Sequence, residues 1–112
     1  MQNRQLVAIM FTDVVDYTAL TQRSEALAME LLELHRQMLR AVISRYEGQE
    51  IKTIGDGFLI EFSSDLKAVQ AAQAMQSIML QYNEAAEPGR QVHIRIGVHL
   101  GDVIRKDGDV YG

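Results

Sequence analysis

Cysteine is absent from this chain, which excludes disulfides and thiolate metal sites and leaves the redox compartment unconstrained. Long apolar runs are absent as well. The N-terminal run, Leu6 to Phe11, has six residues and a single arginine ahead of it. That is too short for a signal-peptide core or a membrane span, so the segment is expected to be cytoplasmic, without membrane contact, alone or cut from a longer protein. Positive charge is not in excess either. Eleven Lys and Arg against fifteen Asp and Glu give a net charge of −4, which argues against nucleic acid as a partner. A phosphate-rich small ligand stays compatible, because local charge in a cleft governs its binding rather than the total.

What is present suits one small domain with a single core. The 112 residues are 47% hydrophobic and 23% charged, ordinary values for a globular protein. Leu6 to Phe11 reads as a strand buried on both faces in the middle of a sheet. Thr12 to Thr21 reads as a polar bend and a short helical turn, and Ser24 as the N-cap of a longer helix. Leu27, Leu31, Leu34, Met38 and Val42 recur at helical spacing, and Gly48 is a natural stop after Tyr46.

Glu50–Ile54 and Phe58–Phe62 form two short strands around Gly55-Asp56-Gly57, a strong hairpin signal. Ser63 or Ser64 can cap a second long helix with Ala68, Ala72, Met75, Met79 and Tyr82 on one face, fading by Glu84 to Ala86. From Val92 to Leu100 apolar residues alternate with His93, Arg95, Gly97 and His99, the pattern of a half-buried strand. Asp107-Gly108 is the turn of a further hairpin, begun again at Val110-Tyr111. The order predicts an α+β, ferredoxin-like fold, a βαββαβ core with helices on one face of an antiparallel sheet and an incomplete C-terminal hairpin.

Asp13 and Asp56 each follow a short apolar run at a place where the backbone must turn. Read singly, Asp13 is a helix cap or loop residue and Asp56 a hairpin-turn residue. The topology, however, brings both to one sheet edge, where two unpaired carboxylates repel and a divalent cation relieves the repulsion. His99 reads as a core or interface histidine, His93 as a surface residue, and Arg95 as an internal hydrogen-bond donor or dimer contact.

Phe11-Thr12-Asp13-Val14-Val15-Asp16-Tyr17-Thr18 and Ile51-Lys52-Thr53-Ile54-Gly55-Asp56-Gly57 resemble the two metal-binding segments of the class III nucleotidyl cyclases, the adenylate and guanylate cyclases. Arg95 to Gly101 and Asp109 to Gly112 continue the pattern in the same order. The resemblance implies that Asp13 and Asp56 are catalytic and bridge two Mg2+ or Mn2+ ions, with the Val14 carbonyl helping one of them. It implies that the backbone of Val15, Asp16, Tyr17 and Thr18 meets the phosphates of ATP. Lys52 stands where adenylate cyclases of this family read adenine, which favours conversion of ATP to 3′,5′-cyclic AMP and pyrophosphate in intracellular signalling. Active sites in the family form between two head-to-tail protomers, so a homodimer is implied.

Two features depart from the family. Asp16 stands where glycine is common, adding a carboxylate beside a phosphate-binding turn. The sequence also stops at Gly112, before the family's asparagine and arginine on a later helix. Residues 1–112 are therefore expected to be the N-terminal part of a single cyclase domain, probed best within a longer chain because the fragment alone should be inactive. The alternatives are a guanylate cyclase, a non-catalytic nucleotide-binding or dimerisation module, and a ferredoxin-like regulatory domain whose acids are only turn residues.

Overall fold

The computed structural model describes residues 3–106 and 109–111, with side chains over residues 7–101. The expected turn at Asp107-Gly108 and the side chain of Leu6 lie outside those limits. The elements are β1 (Asn3–Val14), α1 (Tyr17–Arg23), α2 (Glu25–Arg45), β2 (Gln49–Ile54), β3 (Gly57–Phe62), α3 (Asp65–Ala85), a 3-10 turn (Pro88–Arg90), β4 (Ile94–Lys106) and β5 (Asp109–Tyr111). The sheet order is β2-β3-β1-β4-β5, and every neighbouring pair is antiparallel. This is the α+β, ferredoxin-like arrangement read from the sequence, with β5 added at one edge.

Local chemistry accounts for the element ends. Ser24 and Ser64 accept the N–H groups of Leu27 and Lys67, each at 3.1 Å, and so cap α2 and α3. At the other end of α2 the residue that turns left-handed is Glu47, with φ 58°, and not the expected Gly48. Gly48 N–H reaches back to the Ile43 carbonyl at 2.8 Å, and Glu47 N–H to that of Ser44 at 3.2 Å, the paired bonds that close a helix end.

Period-two alternation in β1 separates the two faces of the sheet. Ala8 and Met10 point into the main core with Ile60, Phe62, Leu31, Leu39, Met75 and Met79. Ile9 and Leu59 form a smaller cluster with Val7 and Ile51 on the face away from the helices. Three expectations are corrected there. Phe11 is not buried but 49% exposed, because nothing among the described residues covers that end of the second face. Strand β4 begins at Ile94 rather than Val92, since Val92 is held by a side chain of α3 instead of a strand neighbour. The alternation in β4 does not bury Val98 and Leu100, which lie opposite the core residues Met10 and Ala8 yet remain 37% and 51% exposed.

Candidate functional site

The sheet neighbours β1 and β3 keep a regular ladder only from Ala8↔Phe62 to Phe11↔Leu59. Beyond it, side chains replace the ladder. Thr12, expected in a polar bend, is buried in the strand, and its hydroxyl oxygen accepts the Phe58 N–H at 3.0 Å. The Asp56 carboxylate accepts the Val14 N–H at 3.2 Å. Gly57 lies so close to the Thr12 carbonyl that a Cβ there would stand 1.7 Å from its oxygen. The β2–β3 turn itself is Gly55-Asp56, with Ile54 paired to Gly57 and Gly55 at φ 58°, a region that glycine enters without strain. On the α2 side, Arg36 donates to the Gly55 carbonyl at 3.0 Å and braces that turn.

These contacts bring Asp13 and Asp56 to one open cavity of about 720 Å³, which Val14, Asp16, Thr18 and Arg95 also line. The two acids that the sequence placed at separate strand ends thus share one rim. Arg95, read from the sequence as an internal hydrogen-bond donor or dimer contact, is a donor at an exposed position, and its place beside Asp13 is what sequence reasoning did not foresee. It lies opposite Asp13 across β1 and β4, and its Nε donates to Asp13 Oδ1 at 2.8 Å, with both side chains well exposed. That bond to Asp13, then the charges of Asp13, Asp16 and Asp56, push the Arg95 pKa above its ordinary range. The readable signal was a basic residue at the start of the strand that flanks β1.

The other candidates divide between this cavity, which Asp16, Tyr17 and Thr18 line, and the rest of the fold. The Val15 N–H, expected to meet a phosphate, donates to the His93 carbonyl at 2.8 Å. Asp16 has φ 58° and ψ 30° and leads into α1 without a side-chain capping bond. Tyr17 and Thr18 begin that helix, where the first N–H groups have no intrahelical acceptor. Lys52 sits in β2 opposite Leu59, exposed and outside the acidic cavity. His99 is exposed rather than part of a core, and His93 is exposed as expected. A second cavity, about 420 Å³, lies behind α1 among Leu20, Leu31, Leu32 and Val92, and Asp16 is the only carboxylate among its described lining residues.

The donor set fits hard divalent cations. Among the described residues no group of three or more His, Asp or Glu side chains forms a ready cage. Magnesium seldom uses one. It takes one or two carboxylates and completes its octahedron with water and substrate phosphates. Asp13, Asp56 and the nearby Val14 carbonyl are donors of that kind.

Comparison with known proteins bears on the family and the fold. Residues 1–109 match the family described as the adenylate and guanylate cyclase catalytic domain. A protein of Rhizobium meliloti (strain 1021), provisionally named adenylate cyclase 3, is 36% identical over 110 residues, which are 97% of this chain and 19% of that protein. The solved adenylate/guanylate cyclase/hydrolase from Silicibacter pomeroyi superimposes with a TM-score of 0.90 at 32% identity, covering 100% of this chain and 66% of that one. A Trypanosoma brucei adenylate cyclase, solved in its monomeric state, gives a TM-score of 0.78 at 27% identity over 95% of this chain and 63% of that one. The chain thus spans less than two-thirds of the length of each.

Proposed function

This chain belongs to the adenylate and guanylate cyclase catalytic domain family, and from that premise we propose that it serves an adenylate cyclase converting ATP to 3′,5′-cyclic AMP and pyrophosphate. The observation that carries the reading is the meeting of Asp56 with the backbone of Val14 at 3.2 Å, one residue beyond Asp13. Asp13, Asp56 and the Val14 carbonyl would hold two Mg2+ or Mn2+ ions. Bound there, such ions supply Lewis-acid activation of the ribose 3′-hydroxyl and neutralise charge on the departing pyrophosphate.

The chain's own residues orient and balance charge. Arg95 lines the acidic cavity and donates to Asp13, and its guanidinium would also offer donors to phosphate oxygens there. The first N–H groups of α1, at Tyr17 and Thr18, and the N–H of Asp16 face the triphosphate. Lys52, which lies outside this cavity, reads adenine in the site of a second copy, so the working unit is a head-to-tail homodimer. Residues 1–112 are the N-terminal part of one catalytic domain, and the uncovered Val98 and Leu100 are consistent with more chain packing on that face. None of the helices among the described residues is long and apolar enough to cross a membrane.

The test is product formation by the full-length protein with Mn2+ and ATP or GTP. Cyclic AMP from the wild type, lost in Asp56→Asn at an unchanged melting temperature, is the expected result. Cyclic GMP alone would make it a guanylate cyclase. Nucleotide binding without either product would make it a binding module.

A further inference from the structure

We propose that Asp16 is a specificity-determining residue that sets how completely the nucleotide must be charge-compensated by divalent cations before the site accepts it. This rests on the functional reading above and deepens it. Asp16 lines the same cavity as Asp13 and Asp56, and its backbone is held left-handed at φ 58° and ψ 30°. A side chain other than glycine is strained there, and Asp and Asn tolerate it best. The conformation is pinned on both sides: the Val15 N–H is bound to the His93 carbonyl at 2.8 Å, and the Asp16 carbonyl accepts the Leu20 N–H at 3.1 Å. The carboxylate makes no capping bond to α1 that would absorb its charge.

The charge arithmetic is short. Among the described lining residues, Asp13, Asp16 and Asp56 against Arg95 give this cavity a formal charge of −2, and removing Asp16 leaves −1. Asp13 and Asp56 have a use for their charge, since they are the cation donors. Asp16 stands at the turn where the phosphates arrive. It therefore opposes a bare or singly metallated triphosphate more strongly than one carrying two divalent ions. The charge of Asp16 also bears on Arg95, together with those of Asp13 and Asp56, competing for the guanidinium that lines the cavity among the described residues.

Two variants separate charge from strain. Asp16→Asn keeps the left-handed preference and removes the charge, whereas Asp16→Gly removes both. In the full-length protein, Asp16→Asn is expected to lower KM for metal–ATP roughly three- to tenfold, the range for one charge screened by solvent at a few ångströms. Its kcat should stay within about twofold, because the cation donors are untouched. The free Mg2+ needed for half-maximal rate should fall in parallel, and added salt should narrow the difference. Asp16→Gly should share the KM and additionally melt higher.

Wild-type turnover with an unchanged or raised KM in Asp16→Asn would overturn the inference while leaving the functional reading standing. A wild type that makes no cyclic nucleotide would end the functional reading first. Calorimetric titration with Mn2+ and ATP then decides Asp16, and equal affinities in wild type and Asp16→Asn would overturn its role.

Discussion

Replacing Gly57 with alanine asks whether the close approach of β3 to β1 is what carries Asp56 to Asp13. The added Cβ would lie 1.7 Å from the Thr12 carbonyl oxygen, 2.8 Å from its carbon and 3.3 Å from the Asp13 Cα. Ordinary contact between such atoms needs upwards of about 3.3 Å, so the strands must part by roughly 1.5 Å at this point. All three neighbours are backbone, which cannot step aside as a side-chain tip can. A shift of that size breaks the Val14–Asp56 bond of 3.2 Å and the Phe58–Thr12 bond of 3.0 Å.

Overpacking and two lost hydrogen bonds together cost about 3–5 kcal/mol, a large part of a small domain's stability. Gly55→Ala is the control. Gly55 has nothing within 4 Å of a Cβ and only its φ of +58° to lose, so alanine there costs about 1–2 kcal/mol and asparagine less. Urea unfolding followed by circular dichroism measures both variants, and Mn2+ titration reports the site. A Gly57→Ala protein no less stable than Gly55→Ala, with cation binding intact, would refute the reasoning.

Two further predictions concern parts of the fold outside the acidic cavity. His35 is fully buried, its Nδ1 bonded to the Leu32 carbonyl at 2.7 Å and its Nε2 without a partner among the described residues, and burial pushes its pKa below the ordinary 6.5. The unfolded chain then takes up the proton more readily than the folded one. The contribution of His35 is complete above pH 6.5 and diminishes on acidification, levelling off below the folded value. His35→Leu should flatten the stability profile between pH 7 and pH 5, as followed by thermal melts; an unchanged slope would contradict it. Asn83 donates to the Val92 carbonyl at 2.8 Å and accepts its N–H at 2.7 Å, both buried. Asn83→Ala should cost roughly 2–4 kcal/mol and speed amide exchange at Val92 and Val15, whereas a near-neutral effect would show that this clamp is dispensable.

The architecture was legible because each element carries its own period and its own cap. Ser24 and Ser64 mark where α2 and α3 begin, and Gly55-Asp56 marks the hairpin. Asp13 and Asp56 were legible as acids at strand ends, since strand order alone places them on one edge. What sequence did not disclose depends on neighbours far along the chain. The pairing of Arg95 with Asp13 spans 82 residues and follows from the β1–β4 register, which no local pattern specifies. The exposure of Phe11, Val98 and Leu100 depends on what covers each sheet face, and an apolar run is silent about that. The engagement of Val15 by His93 likewise arises from where the segment before β4 lies against the first turn.

Manganese binding in the presence of ATP, followed by the paramagnetic resonance of the free ion, addresses the shared rim most directly. The full-length wild type should bind Mn2+ with nucleotide, and Asp13→Asn and Asp56→Asn should each lose most of that binding while melting like the parent. Full retention of Mn2+ in either variant would mean that the two carboxylates do not hold a common cation site.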